Sequence, residues 1–217
     1  MVGHSKEEFI KLWGPEGFAE TWDGFSSEYS VSPSTPSGAR DLIVDVVKQH
    51  AMPRGAALDI GCGNCEHTSR LLAPNFSVVH AVDLIPAPSK LSPKIKYHEA
   101  GDRDYTLSMI PNESIDFVWS FGCFCHLPNS AVGQYLTNVR RVLRRTGVAV
   151  ILFANWDRHK LYINVPQSER EKFRENSCAT WYFYDLATAQ DLAQKAGFTQ
   201  FVDLAPNLRD TLAELKG

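Results

Sequence analysis

Hydrophobic and polar positions follow two alternating patterns along this chain. Short runs that are apolar almost throughout predict buried strands at 56–60, 78–82, 95–98, 115–121, 148–153 and 198–204. Segments with apolar residues on one helical face predict helices at 39–50, 66–72, 131–143 and 185–196. Gly147 and Gly197 are the expected caps after the last two helices. Continuous apolar strands that alternate with helices are typical of a parallel sheet covered on both faces, so the pattern predicts an α/β fold.

Two segments depart from this alternation. Residues 1–50 combine aromatic residues at helical spacing with a Ser/Pro/Gly-rich turn at 32–38. We therefore predict an N-terminal helical cap or lid at 1–50, followed by a single domain at 51–217. Residues 155–184 are polar and aromatic without a clear period. Loops bounded by proline and glycine commonly move when they cover an active site, so these two segments are expected to cover the mouth of the sheet.

The most informative segment is the run 57–66. Asp59 lies near the end of the first strand, and two glycines one residue apart follow, Gly61 and Gly63. Glycine admits positive φ and leaves no Cβ in the way of a bound molecule. A dinucleotide-binding turn would have a third glycine and a phosphate at the helix N-terminus, where Glu66 would repel it. The turn therefore suits a nucleoside whose charge lies elsewhere than on a pyrophosphate.

Further polar signals follow the later predicted strands. Asp83 ends the second strand, Asp102 follows the third, and the segment 121–126 follows the fourth. In parallel α/β sheets, ligands bind outside the carboxyl ends of the strands. We therefore expect these groups and the glycine turn to converge on one crevice.

This order of motifs resembles the class I S-adenosylmethionine-dependent methyltransferases, especially the branch that includes quinone-biosynthesis and other small-molecule enzymes. The matching pieces are Leu58–Gly63, Ala81–Leu84, Gly101–Asp102, Ile115–Ser120 with His126–Leu127, and Arg141–Leu143 with Gly147. The resemblance covers about residues 55–153 and implies a Rossmann-like sheet of seven mostly parallel strands. It also implies S-adenosyl-L-methionine as the cofactor and S-adenosyl-L-homocysteine as the product.

Within this resemblance, the turn after the first strand holds the methionine part of the cofactor. Gly61, Cys62 and Gly63 would let the backbone pass close to it. Asp59 would lie near the α-ammonium group, directly or through water.

The later strand ends would hold the nucleoside part of the cofactor. Asp83, with Leu84 after it, would accept hydrogen bonds from both ribose hydroxyls, as acidic residues do at this position in nucleotide sites. Asp102 would accept from the adenine amino group beside the Arg103 backbone. Phe121 would begin the segment that holds the cofactor near its sulfonium.

The acceptor site is expected after the fourth strand and in the two aromatic segments. Its candidate residues are Trp22, Tyr29, His126, Trp156, Tyr182 and Tyr184. His126 could be a general base, since an unperturbed imidazole pKa of about 6.5 suits that work, or a structural histidine that hydrogen-bonds the strand-end backbone. The aromatic residues could equally be packing residues, and the arginine run 140–145 is interpreted as a solvated helix end.

Two cysteine pairs and one histidine raise the question of a metal. Cys62, Cys65, Cys123, Cys125 and His126 are all donors that zinc accepts, at ~2.0–2.3 Å in a tetrahedral cage. A cage that included Cys62 would obstruct the cofactor turn, and the Cys-x-Cys spacing is too tight for the usual knuckle. We therefore predict no metal and interpret the cysteines as small buried apolar residues.

The amino-acid composition limits the classes of partner and the compartment that we expect. With 22 basic and 25 acidic residues, the net charge is −3, which argues against nucleic acid as a substrate. No apolar run approaches the ~18 residues of a membrane helix, and the first residues lack a secretory signal. Five cysteines, an odd number, are typical of free thiols in a reducing compartment. We expect a cytoplasmic protein without a nucleic-acid or membrane partner, and the pattern leaves the oligomeric state open.

These features together predict methyl transfer to an oxygen or nitrogen atom of a small molecule by direct displacement. Such a reaction mainly requires alignment of nucleophile, methyl and sulfur, which explains why no nucleophile triad is needed. Two alternatives stay open: a non-catalytic regulatory protein that binds the cofactor, and a protein or RNA methyltransferase.

Overall fold

The structure, a computed structural model, describes Glu7 and the ranges 40–101, 103–159 and 182–217. Most of the predicted cap at 1–50 therefore lies outside the described residues, as does most of the segment 155–184. The described strands are β1 (Met52–Ile60), β2 (Phe76–Asp83), β3 (Ile95–Glu99), β4 (Ile115–Ser120), β5 (Leu143–Phe153), β6 (Gln200–Asp203) and β7 (Thr211–Lys216).

Helical elements connect most of these strands. They are α1 (Arg40–Gln49), a π-helical turn (Thr68–Leu72) that continues into α2 (Ala73–Asn75), a 3₁₀ turn (Phe124–His126), α3 (Asn129–Val142), α4 (Trp156–His159) and α5 (Leu186–Lys195). No helix in the described ranges is long and apolar enough to cross a membrane.

The seven strands form one sheet in the order β3-β2-β1-β4-β5-β7-β6. β2 pairs in parallel with β1 and with β3, whereas β7 runs antiparallel to both β5 and β6. The order reverses at β1: β2 and β3 lie on one side of it, and β4 to β7 lie on the other. This confirms the predicted Rossmann-like, mostly parallel sheet of seven strands.

Two compact units make up the chain. The first contains the chain up to Asp104 together with Ile115–Phe117, and the second contains Tyr105–Ser114 and the chain from Val118 onward. In the first unit, the rings of Phe76 and Phe117 stack with their centroids 5.5 Å apart. Both rings are almost completely buried, so they anchor the inner strands of this unit.

A carboxylate supports the irregular start of β1. The pairing of β1 with β2 is interrupted between Met52 and Ala56. There the backbone N–H of Ala56 donates to Oδ2 of Asp116, at 2.8 Å. The side-chain acceptor replaces a ladder partner, which a buried N–H group requires.

In the second unit, Arg141 connects the end of α3 to the loop before β4. Its guanidinium donates to the carbonyl oxygens of Thr106, Leu107 and Ile110, at 2.9 to 3.2 Å. It also donates to Oδ1 of Asn112, at 2.6 Å. The arginine run is therefore more than a solvated helix end, because this member of it satisfies loop carbonyls that the helix cannot reach.

Two expectations about the second unit are wrong. α3 ends at Val142, and Leu143 already has an extended backbone that begins β5, so Gly147 lies inside a strand and caps no helix. β7 has no counterpart in the predicted elements. Its sequence, Thr-Leu-Ala-Glu-Leu-Lys, favours a helix by propensity, yet pairing on both sides makes it a strand.

The end of α5 agrees with the sequence. Asp185 is the N-cap, and its side chain accepts from the N–H of Thr188, at 2.7 Å. Gly197 has φ of 94° and donates to the carbonyl of Gln194, which closes the helix as predicted.

Candidate active site

The glycine turn after β1 folds back onto the end of β2. The N–H groups of Gly61 and Cys62 both donate to the carbonyl of Val82, at 2.8 and 3.3 Å. Gly61 and Gly63 have φ of 71° and 53°, in the left-handed region that favours glycine. The turn can therefore lie close to a ligand without side chains in between.

Asp83 is held against this turn by backbone donors. The N–H of Gly63 donates to Oδ2 of Asp83 at 2.7 Å, and the N–H of Ile85 donates to Oδ1 at 3.2 Å. Burial raises the pKa of Asp83, while its backbone hydrogen bonds, that from Gly63 first, oppose the rise. An ionised carboxylate has about four acceptor sites, so Asp83 keeps capacity for two further donors.

Asp59, two residues before Gly61, is a buried carboxylate near the end of β1. Only 3% of the residue is exposed, and Oγ1 of Thr68 donates to its Oδ2 at 2.5 Å. Burial is the main cause that raises its pKa from an ordinary 3.8 to about 7; the Thr68 hydrogen bond lowers it, and the Asp83 charge raises it. A nearby cation would offset the cost of ionising Asp59, because an opposite charge favours the charged form.

Sequence reasoning missed Thr68. It is completely buried in the π-helical turn that follows the glycine turn. A π-helical turn is uncommon and often lies at a functional site, so its place beside Asp59 is consistent with a role in the site. A buried hydroxyl residue just after a glycine turn and an acidic residue was the signal available in the sequence.

The turn after β3 is described in part. Asp102 lies outside the described residues, so its predicted contact with adenine stays a prediction. Arg103 has φ of 54°, which is uncommon for a residue other than glycine. The backbone N–H of Asp104 donates to the carbonyl of Gly101 at 3.2 Å.

The first unit thus brings together Asp59, Gly61, Gly63 and Asp83. These groups fit S-adenosylmethionine: a carboxylate with spare acceptor sites suits vicinal hydroxyls, and a buried carboxylate with a raised pKa suits an ammonium group. The two glycines leave room for the backbone of the turn to approach the cofactor.

In the second unit, the segment after β4 makes a sharp bend. Phe121 stacks on Trp119 with centroids 5.6 Å apart, and Gly122 has φ of 77°. A Cβ added to Gly122 would meet nothing within 4 Å, so the chain there borders open space. His126 ends the following 3₁₀ turn, and its backbone N–H donates to the carbonyl of Cys123 at 2.9 Å.

Two of the residues predicted for the acceptor site, Tyr182 and Tyr184, hydrogen-bond the backbone of this bend. The N–H of Tyr182 donates to the carbonyl of Cys125 at 2.6 Å, and the hydroxyl of Tyr184 donates to the carbonyl of Leu127. Burial raises the pKa of Tyr184, so its hydroxyl stays protonated and acts as a donor. The structure therefore brings Tyr182 and Tyr184 to the backbone of the segment that contains His126.

Trp156 contacts Phe183 and Tyr184, which follow Tyr182 in the chain. The backbone N–H of Trp156 donates to the carbonyl of Tyr184 at 2.9 Å. The ring of Trp156 and that of Phe183 form a T-shaped pair with centroids 5.6 Å apart. Trp156 is 3% exposed and Tyr184 is 1% exposed, whereas Tyr182 is partly exposed. Trp22 and Tyr29, the other aromatic candidates, lie outside the described residues. Contact of these residues with an acceptor stays a prediction.

Across 40–101, 103–159 and 182–217, no group of three or more His, Cys, Asp or Glu side chains is arranged to hold a metal ion. Cys62, Cys65, Cys123 and Cys125 form no disulfide bond.

The chain is similar to a known protein family in sequence and to solved structures in fold. Residues 58–151 match the model of a family described as a methyltransferase domain. Over 143 residues, the chain is 32% identical to N-terminal Xaa-Pro-Lys N-methyltransferase 1 of Ailuropoda melanoleuca. That match takes in 60% of this chain and 63% of the relative, so the chain spans less than two thirds of the relative's length.

Two solved structures show the same fold at low identity. Phosphoethanolamine N-methyltransferase 2 of Haemonchus contortus, in complex with phosphomonomethylethanolamine and S-adenosylhomocysteine, has a TM-score of 0.65 at 20% identity, over 92% of this chain and 46% of that one. The 1,6-didemethyltoxoflavin-N1-methyltransferase of Burkholderia thailandensis, with bound 1,6-didemethyltoxoflavin and S-adenosylhomocysteine, has a TM-score of 0.61 at 17% identity, over 97% and 84%.

The matched range contains the glycine turn, Asp59 and Asp83, which are the groups that fit the cofactor. Solved relatives by fold hold S-adenosylmethionine or S-adenosylhomocysteine. The glycine turn, Asp59 and Asp83 fit the same cofactor in this chain. Residues 58–151 match a methyltransferase domain, and the chain has the fold of the class I S-adenosylmethionine-dependent methyltransferases.

Proposed function

We propose that this protein transfers the methyl group of S-adenosylmethionine to an oxygen or nitrogen atom of a small molecule. The observation that carries the proposal is the pair of carboxylates at the glycine turn, Asp59 and Asp83, with the Gly63 N–H bound to Asp83. The bound cofactor supplies an activated methyl group on a sulfonium. The protein's own work is to bind, orient and exclude water.

The proposed roles on the cofactor side follow from the donors and acceptors. Asp83 accepts from the two ribose hydroxyls, and Leu84 lies beside it. Asp59 faces the α-ammonium group, with Thr68 holding its orientation. On the side of the adenine, the proposed contacts are Asp102 and the Arg103 backbone.

The proposed roles on the acceptor side rest on the bend after β4. Phe121 begins the segment that holds the cofactor, and His126 takes the proton from an acceptor that carries one. Among Trp156, Tyr182 and Tyr184, Tyr182 is the best placed to touch an acceptor, because it is partly exposed while its backbone N–H donates to the carbonyl of Cys125. Trp22, Tyr29, Trp156 and Tyr184 complete the proposed acceptor site.

The proposal is tested by incubating the purified protein with S-adenosylmethionine and panels of small amines, alcohols and phenols, while S-adenosylhomocysteine release is measured. We expect release that depends on one class of acceptor. His126→Gln should lower kcat and leave the dissociation constant of S-adenosylhomocysteine unchanged. Tight cofactor binding without release on any acceptor would instead support the non-catalytic regulatory alternative.

A second acceptor class is favoured by one comparison. The relative that is 32% identical is named as a methyltransferase of protein N-termini that begin Xaa-Pro-Lys. The same α-amine chemistry suits an N-methyltransferase of this fold. Peptides that begin with Xaa-Pro-Lys should be compared with the same peptides acetylated at the N-terminus. Methylation of the free peptide alone would move the acceptor from a small molecule to a protein N-terminus.

A further inference from the structure

The glycine turn contains a pair of cysteines in the order Cys62-Gly63-Asn64-Cys65. The N–H of Cys65 donates to the carbonyl of Cys62 at 2.8 Å, which closes a four-residue turn. The two Sγ atoms lie 3.7 Å apart, and both residues are buried. Such a turn keeps its outer Cα atoms within about 7 Å, close to the range that a disulfide spans.

The surroundings of these two thiols are polar. The carboxylates of Asp59 and Asp83 act on both thiols and oppose the ionisation of each, which raises the pKa. The contact between the two thiols lowers the pKa of Cys65 and raises the pKa of Cys62, because an ionised Cys65 sulfur accepts the proton of Cys62. This arrangement differs from the apolar role expected for the cysteines, and it resembles a pair with one nucleophilic and one resolving thiol.

We propose that Cys62 and Cys65 form an oxidation-sensitive dithiol, and that the disulfide they form under a hydroperoxide weakens cofactor binding. One thiolate attacks the peroxide, the O–O bond breaks, and a sulfenic acid forms with release of water after proton transfer. The second thiol then displaces the sulfenic oxygen, which leaves as water when the S–S bond forms. Two thiols are oxidised and one hydrogen peroxide is reduced to two waters. Hydrogen peroxide is small enough to reach a pair with little exposed surface.

The backbone between the two sulfurs explains the effect on the cofactor. Gly63 lies between the cysteines, and its N–H is bound to Oδ2 of Asp83. Disulfide formation would shorten the Sγ–Sγ distance from 3.7 Å to about 2.05 Å, and the turn would have to move with it. We therefore expect at least a tenfold loss of affinity for S-adenosylhomocysteine. This part of the inference rests on the proposed function, whereas the disulfide itself does not.

The first experiment treats the full-length protein with hydrogen peroxide and measures intact mass and peptide masses. We expect loss of two hydrogens, located by proteolysis to a Cys62–Cys65 crosslink and reversed by dithiothreitol. Cys65→Gly, which suits the left-handed φ of 60° at this position, should abolish the crosslink and remain folded. Cys123→Ser is the matched control and should keep the crosslink. Stepwise addition of oxygen atoms without a crosslink would overturn the proposal.

The second experiment compares reduced and oxidised protein by calorimetry with S-adenosylhomocysteine. A tenfold weaker affinity of the oxidised form requires, by linkage, that saturating S-adenosylhomocysteine raise the reduction potential of the pair by about 30 mV. Equal affinity in both states, or an unchanged potential, would remove the effect on the cofactor. If neither state binds S-adenosylhomocysteine, the proposed function fails, while the crosslink assay still tests the dithiol.

Discussion

At the scale of single residues, the two carboxylates of the glycine turn are held in different ways. Asp83 accepts two backbone N–H groups, which stabilise its ionised form. Asp59 has one side-chain donor, Thr68, and is nearly completely buried. Burial raises the pKa of Asp83 while its backbone hydrogen bonds oppose the rise, whereas the pKa of Asp59 rises to about 7, so the charge of Asp59 depends on pH near neutrality.

Asp83→Ala is expected to weaken S-adenosylhomocysteine binding by about 1.5–3 kcal/mol, or about 10- to 150-fold, the range for hydrogen bonds to a charged group. Calorimetry of the folded variant measures this loss. Asp191→Ala is the matched control, because Asp191 is an exposed carboxylate on α5 that pairs with Lys195. Equal affinity of wild type and Asp83→Ala would remove Asp83 from the cofactor site.

The raised pKa of Asp59 predicts how stability depends on pH. Because its pKa in the folded protein is about 7 against an ordinary 3.8, the folded state binds more protons than the unfolded state between these values. The free energy of unfolding therefore falls as pH rises from about 4 to about 7, by up to about 4 kcal/mol from this group.

Asp59→Asn keeps an acceptor for Thr68 and removes the charge. Its free energy of unfolding should change less between about pH 5 and pH 8 than that of the wild type, and it should be the more stable protein at about pH 8. Denaturant titrations at both values measure the difference. The variant should also lose affinity for S-adenosylmethionine, since no charge remains to face the ammonium group. If the free energy of unfolding depended on pH in the same way in both proteins, the raised pKa of Asp59 would be contradicted.

At the scale of elements, the connection from β1 to the π-helical turn carries most of the cofactor chemistry. It combines positive φ at Gly61, Gly63 and Cys65 with hydrogen bonds to the ends of two strands. Residues in uncommon backbone regions collect at functional sites because the surrounding structure compensates for the strain.

Gly63→Val tests whether this backbone is needed. Valine is strained at φ of 53°, at a cost of about 1–3 kcal/mol, and its side chain would occupy the space of the ligand. We expect a folded protein with a lower melting temperature and no measurable S-adenosylhomocysteine binding. Gly133→Ala in α3 is the control, since its new Cβ would lie at an ordinary 3.7 Å from Cδ2 of Leu192. Normal binding by Gly63→Val would make the turn a simple connector.

At the scale of the whole molecule, metal removal should leave the protein folded. Across the described residues, no three donor side chains are arranged for a metal, and the four described cysteines form no disulfide bond. We expect well below one equivalent of zinc by elemental analysis and an unchanged melting temperature with a chelator. Stoichiometric zinc, or unfolding on chelation, would mean that the cysteines hold a metal.

The order of chemical signals could be predicted from the sequence because each one is local. A strand, an acidic residue and two glycines are adjacent in the chain, and Asp83 directly ends its own strand. The helix α5 was equally predictable, since its cap residues Asp185 and Gly197 lie next to it. The boundary between α3 and β5 was not, because the extended backbone at Leu143 depends on strand pairing.

By itself, the sequence therefore determined the order of the motifs and the six strands with continuous apolar runs. It also determined the family that the motifs resemble, and with it the expected cofactor. Only the tertiary structure decided the rest. β7 becomes a strand because β5 and β6 offer backbone partners on both sides, against its helical propensity. Asp59 acquires a pKa near neutrality through burial, against the lowering effect of the Thr68 hydrogen bond, and the two cysteines meet through a turn that is hydrogen-bonded to Val82. Burial and pairing arise between residues that are distant in sequence, so local patterns do not contain them.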